Sequence, residues 1–457
     1  MRIIIVGAGV VGSAVAEQLL RDKHSLAIID VDRSLTAQLA EKQDVQILTG
    51  SGSSPRLLRE AGIADADMVL AVTPDDEVNI VVCAIAAEYN VGRRIARLRS
   101  PDYVRGDAGF DLTGLGVTAV IHPEKLMAEH ILQFIETPHA VESASFEKGS
   151  IFLRGYRVRE NMELAGKTPR EIREQIAPEV ILFAAINRNG RGMIPYGNTG
   201  IEPGDIVYTL FPAESLESFL KLVGQVRKKS RKIIVTGDSY AVLEMAQALD
   251  STEHKVILVD PDLEQAKSVA GMFSNIEVIH GDCTDAGLLR ELNVDTASFF
   301  IAVSDQSDYN ILSALLAKAE GAHEVIAAST ETRHDRLFNS IGIDHVVNVR
   351  LTAAREILEI ISRGQIGAVV ELSNIDIEAA RFTVDPQSEI AGLKVQKIAR
   401  KLKKDSIIGV IVRGDRMIIP GGDTVIEADD HVIIISRGKH LPALASLFRP
   451  GGLFTWR

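Results

Sequence analysis

Gly7, Gly9 and Gly12 lie between an apolar run, Ile3 to Val6, and an amphipathic stretch, Ala14 to Leu20. Each glycine has a physical role at such a strand-to-helix turn. Gly7 permits the tight turn, Gly9 lets a phosphate approach the backbone, and Gly12 lets the helix pack on the strand. The loop Gly7-Ala8-Gly9-Val10-Val11-Gly12 then offers free backbone N–H groups, with the helix dipole behind them. Asp30 closes the next strand, Leu26 to Ile29, roughly 20 residues on, where a carboxylate takes a ribose hydroxyl pair. The bland alternative is a Rossmann turn that serves the fold alone.

Three more places could touch the same ligand. Gly50 and Ser51, in Thr49-Gly50-Ser51-Gly52-Ser53, follow the third strand, where small residues leave room for an adenine. Thr73-Pro74-Asp75 ends the fourth strand, within reach of ribose or phosphates. Arg97 and Arg99 stand two apart on a strand, so they point to one side and could fork onto phosphate. No acid–base pair or nucleophile triad is legible. His122, His130 and His139 lack the spacing that zinc needs, and Cys83 reads as a small core residue. The expectation is a binding protein, not an enzyme.

These residues need a scaffold, and the chain supplies it twice. Ile233-Ile234-Val235-Thr236-Gly237 repeats the opening strand at an offset of 230 (237 minus 7), and Asp260 repeats Asp30 at the same offset. Asn79-Ile80 returns as Asn310-Ile311. The pattern predicts an α/β protein: two tandem doubly wound Rossmann domains, each followed by a small α+β domain. The expected boundaries are 1–123 and 229–350 for the Rossmann domains, 124–140 and 351–370 for crossover helices, and 141–228 and 371–457 for the small domains. The stretch 124–136 carries Met127, Ile131, Phe134 and Ile135 on one helical stripe. It falls after the sheet is complete, so we expect it to swap onto a partner subunit. The linker between the repeats is basic, with Arg227-Lys228-Lys229.

Repeat two keeps the scaffold and loses the phosphate chemistry. Its loop reads Gly237-Asp238-Ser239-Tyr240-Ala241-Val242, and Ala328 to Thr330 replaces the arginine strand. Asp260, Ser304 and Asp305 remain as weak candidates for a second adenosine-like group.

The 457 residues carry a net charge of −12, which repels nucleic acid and anionic lipid. No apolar stretch approaches the ~20 residues that span a bilayer, so no direct membrane insertion is expected. Two cysteines suggest no disulfide framework and a reducing, cytoplasmic setting.

The motifs GAGVVG, Asp30, GSGS, ADADMVLAVT, DEVN and RIARLRSPDYVR resemble the TrkA family, regulatory subunits of bacterial Trk potassium-uptake systems, over essentially the whole chain. The resemblance implies tandem RCK units in a homo-oligomer, a dimer or a tetrameric ring. It implies a peripheral protein on the cytoplasmic face of the inner membrane, held by a TrkH- or TrkG-like channel subunit. NAD(H), ATP and ADP would then gate potassium transport. By position, the nucleotide contacts would be Gly7, Ala8, Gly9, Val10, Val11, Asp30, Gly50, Thr73, Pro74, Arg97 and Leu98. Two other classes compete. An NAD-dependent oxidoreductase needs a positioned acid or base, which the small domains do not offer. A methyltransferase-like fold has no use for Arg97 and Arg99.

Overall fold

A computed structural model describes residues 1–448 apart from 22–23, 43–44, 101–102, 104–110, 177–179, 227–229, 330–340, 349–351, 353, 355, 358–359, 362–365, 373–374, 403–404 and 415. The N-terminal apolar run forms β1 (Arg2–Val6). Five strands join it: β2 (Ser25–Asp30), β3 (Gln46–Thr49), β4 (Met68–Ala71), β5 (Arg93–Arg97) and β6 (Ala119–Ile121). They form a six-stranded parallel sheet in the order β3-β2-β1-β4-β5-β6. Ile3, Ile4 and Ile5 are fully buried, as expected where a parallel sheet is covered on both faces and its strands read as unbroken apolar runs. The order reverses beside β1, so the crevice at the carboxyl ends of β1 and β4 is the place for a ligand.

The helix Pro123–Glu136 follows β6. Met127, Ile131, Phe134 and Ile135 are all buried within the single chain. This corrects the expectation of a swapped helix: its stripe is covered without a partner subunit. In the stretch 351–370, Ala354, Ile357 and Ile361 are buried, while Leu358, like the linker Arg227–Lys229, lies outside the described residues.

The small domain of repeat one is an antiparallel sheet of β7 (Glu142–Phe146), β8 (Ile151–Arg157), β9 (Leu182–Arg188), β10 (Arg191–Met193) and β11 (Ile206–Pro212), ordered β10-β9-β11-β8-β7. Repeat two forms a second parallel sheet from β12 (Lys232–Thr236), β13 (Lys255–Asp260), β14 (Ile276–His280), β15 (Phe299–Ala302), β16 (Glu324–Ser329) and β17 (His345–Asn348). Its order, β14-β13-β12-β15-β16-β17, copies the first. Then come β18 (Ile366–Glu371), β19 (Glu378–Thr383), β20 (Ser406–Arg413), β21 (Arg416–Ile418) and β22 (His431–Ser436), ordered β18-β19-β22-β20-β21. Pattern reading misses β7 and β18. Both are edge strands, and β7, ESASF, lacks the apolar run of an interior strand.

The compact units do not follow the repeats. One comprises Met1–Glu129 with Ser230–Leu358 and holds both parallel sheets. The other comprises His130–Lys229 with Glu359–Arg457 and holds both antiparallel sheets. In this second unit Leu153, Ala184 and Tyr208 share one buried cluster with Ala379, Val410 and Ile433. Glu147 ties the same two sheets, with Arg381 Nη1 at 3.2 Å and His431 Nδ1 at 2.9 Å. Each small domain also carries a bidentate clamp. Arg188 donates twice to Asp205, both at 2.8 Å, and Arg413 twice to Asp430, both at 2.9 Å.

Candidate functional site

The turn after β1 is shaped by Gly7, whose φ of +107° an L side chain rarely adopts. Gly237 keeps the same feature in repeat two, with φ +138°, although the rest of that loop has changed. The first glycine therefore serves the turn in both repeats. In repeat one the loop is tied to the end of β2: Ala8 N donates to Asp30 Oδ2, and Asp32 N donates to Asp30 Oδ1 at 2.8 Å.

Asn79 aligns the next two loops. It is fully buried, accepts from Thr73 N at 3.0 Å, and donates to Thr73 O at 3.0 Å and Arg97 O at 2.8 Å. Asp76 fixes the end of the arginine strand by accepting from Arg99 N, at 2.9 and 3.0 Å, and from Ser100 N at 2.8 Å. Thr73-Pro74 and Arg97-Arg99 are thus held in register by one helix, which follows the first loop and precedes the second.

Above these loops opens a cavity of about 600 Å³, within the range of small-molecule sites. Gly7, Gly9, Val11, Asp30, Gly50, Ser51, Thr73, Pro74, Arg97 and Arg99 line it. Other expected residues do not. The Ala8 side chain is buried away from it, and Gly12 lies under the loop, its hydrogen facing Gly7 O. The Val10 side chain lies outside the described residues. Leu98 points to the opposite side of the strand from its arginine neighbours and is fully buried in the core, so only its backbone is available.

The two arginines converge on one acid that sequence reasoning missed. Glu124, its side chain 4% exposed, accepts at Oε1 from Arg97 Nη2 and Arg99 Nε, both at 2.9 Å. A signal existed: two same-side arginines require a nearby counter-ion, and Glu124 opens the helix after the adjacent strand β6. Burial works against the charge on Arg99, but Glu124 and Asp305 outweigh it and raise its pKa. Arg97 Nε and Glu124 Oε2 are buried without a hydrogen-bond partner among the described residues. Gly9 is exposed, and a Cβ there would meet nothing within 4 Å. A pyrophosphate suits that space.

Repeat two forms a wall of this cavity, which corrects the expectation of a separate second site at Ser304 and Asp305. Ser239, Ser304, Asp305, Ser307 and Ser329 line the first cavity. Asp305 pairs with Arg99 Nη2 at 3.1 Å, and the guanidinium carbon of Arg99 lies 5.7 Å from the centroid of the Tyr240 ring. Asp260 does not reach this cavity. It lines a crevice of about 10 Å³ with Gly237, Val242 and Gln265, room for about one water and too small for a nucleoside. Ser239 Oγ donates to Val303 O at 2.7 Å and Gln265 Nε2 to Asp238 O at 3.2 Å, so side chains close the space that glycines leave open in repeat one. Burial pushes the Asp260 carboxyl above its usual range, and Asp238 adds to the shift.

Among the described residues no cluster of histidine, cysteine and acids could hold a metal ion, and no helix is long and apolar enough to cross a membrane. The fold defines a protein of two tandem Rossmann domains, each followed by a small α+β domain. The TrkA-N domain family matches residues 3–123 and 233–349, and the TrkA-C domain family matches 379–449. A Trk system potassium uptake protein TrkA from Vibrio alginolyticus is 31% identical over 99% of this chain and 100% of its own length. The chain belongs to the TrkA family. Among solved structures, a GsuK channel bound to NAD is similar in fold at a TM-score of 0.62, with 18% identity over 98% of this chain and 78% of that one. A GsuK structure bound to ADP gives a TM-score of 0.51, with 14% identity over 79% of this chain and 69% of that one.

Proposed function

We propose that this chain is a non-catalytic regulatory subunit that gates a Trk-type potassium channel or transporter in response to bound NAD(H), ATP or ADP. The observation that carries the reading is the cavity that gathers the glycine loop, Asp30 and the Arg97–Arg99 pair, in a chain of the TrkA family. NAD and ADP in the GsuK structures support the ligand class. The backbone at Gly7 to Gly12 would carry the pyrophosphate, Asp30 the ribose diol, Gly50 and Ser51 the adenine, and Thr73, Pro74, Arg97 and Arg99 the remaining phosphate or sugar. The first Rossmann domain, residues 1–123, would hold the ligand, and the second, residues 229–350, would supply one wall.

In this reading the protein is a homo-oligomer, peripheral on the cytoplasmic face of the inner membrane through a TrkH- or TrkG-like subunit. A nucleotide can shift the gate only by its differential affinity for two arrangements of the wall.

Calorimetric titration of the purified chain with NADH, ADP and ATP, beside a hydride-transfer assay, tests the reading. Binding without turnover is expected. An Arg97→Ala, Arg99→Ala protein should bind ATP and NADH at least about a hundredfold more weakly, since each charge-assisted contact contributes about 1.5–3 kcal/mol. Normal binding by that folded variant, or sustained substrate-dependent NADH oxidation by the parent, would overturn it.

A further inference from the structure

Asp305 belongs to the loop after β15, yet it reaches the other repeat. Its Oδ2 and Oδ1 lie 3.1 and 3.3 Å from Arg99 Nη2. A guanidinium takes carboxylate and phosphate through the same N–H groups, so Asp305 stands where an oxyanion of a ligand would compete. Its loop is fixed. Asn310, 1% exposed, accepts from Ser304 N at 2.7 Å and donates to Ser304 O at 2.9 Å and Ala328 O at 3.0 Å.

The sheet order decides which end of a ligand Asp305 faces. Gly50 follows β3, Asp30 ends β2, the glycine loop follows β1, and Arg99 lies past β5. Neighbouring strands are about 4.8 Å apart, so β5 lies about 10 Å beyond β1. A nucleotide with its base by β3 and its ribose on Asp30 lays its first phosphates on the glycine loop. Whatever follows those phosphates extends towards Arg99 and Asp305.

Resting on the nucleotide reading above, we propose that Asp305 is the specificity-determining residue that makes this cavity prefer a nucleoside diphosphate to a triphosphate. A third phosphate would have to displace the exposed Asp305 carboxylate from Arg99 and then lie beside it. A diphosphate ends short of that contact. A dinucleotide places an uncharged sugar there, whose hydroxyls can donate to the carboxylate.

The test is calorimetric titration of the full chain with ADP and with ATP, at low and at 1 M salt. The parent should bind ADP more tightly than ATP. Asp305→Asn should raise the ATP-to-ADP affinity ratio about tenfold, as one like charge is removed beside a polyanion at an exposed position. Asp305→Glu should keep the parent's ratio. The gain should fade at 1 M salt, where the Debye length is about 3 Å. An unchanged ratio in Asp305→Asn overturns the proposal, as does an equal loss of both ligands with a lower melting temperature, which would make Asp305 a structural strap only. A parent chain that binds neither nucleotide defeats the nucleotide reading itself, whereas one that binds both at a ratio insensitive to residue 305 defeats this proposal alone.

Discussion

Alanine at Gly9 and alanine at Gly12 should have opposite consequences, although both add one methyl to the same loop. At Gly12 the new Cβ would lie 1.8 Å from Gly7 O and 3.0 Å from Gly7 C. Both are backbone atoms of a turn already committed to a positive φ, so the helix must lift off the strand. Overpacking of this kind costs about 1–3 kcal/mol, and a backbone clash places it at the upper end. At Gly9 the Cβ would meet no protein atom within 4 Å. Removing unfolded-state freedom there should stabilise the chain by about 0.4–1 kcal/mol. The methyl would instead fill the space that a pyrophosphate needs, and the expected loss of ADP affinity is at least about tenfold, or ~1.4 kcal/mol. Thermal unfolding and ADP calorimetry on the two single variants separate the effects. Gly12→Ala should melt early, whereas Gly9→Ala should melt no earlier than the parent and bind poorly. A Gly9→Ala protein that binds ADP like the parent would show that the loop is not the phosphate site. A Gly12→Ala protein with unaltered melting would remove the packing role assigned to that glycine.

Three other outcomes follow from named contacts. Asp30 should favour NADH over NADPH by more than about tenfold, because a carboxylate bonds the diol and repels a 2′-phosphate; Asp30→Ala should narrow that preference, and equal affinities for the parent would contradict the assignment. Arg413→Ala leaves Asp430, 1% exposed, with Glu427 N at 2.7 Å in place of its bidentate partner. Arg413 is 35% exposed and only Asp430 is buried, so losing the charged hydrogen-bond partner costs about 1–3 kcal/mol; chemical denaturation should shift, and a change below about 0.5 kcal/mol would make the clamp incidental. Burial pushes the Cys83 and Cys283 thiols up to about 12. Because the folded value is raised above the ordinary 9.0, their contribution to stability is intact below pH 9 and is lost as pH rises towards 12. A thiol reagent at pH 8 should therefore label both only after unfolding, and rapid labelling of the native chain would refute their burial.

Much of this protein is determined within short stretches of chain. The apolar run, the glycine spacing and Asp30 lie close together in sequence, so their roles follow from strand and helix geometry alone. The duplication is legible for the same reason, since each repeat encodes its own strand order. Leu98 obeys the same local geometry against the family pattern: alternation along a strand that turns Arg97 and Arg99 to the cavity turns Leu98 to the core.

Packing between distant residues decided the rest. Asn79 and Asn310 can be matched as repeats, but their clamp on the neighbouring loops needs the fold. Glu124 became the partner of Arg97 and Arg99 only once β6 lay beside β5. Asp305, 206 residues from Arg99, reads as a piece of a second site, and the structure makes it a wall of the first. The pairing of the two antiparallel sheets has the same origin. Each depends on which surfaces of two similar repeats bury one another, and that free energy is summed over many contacts that no local pattern records.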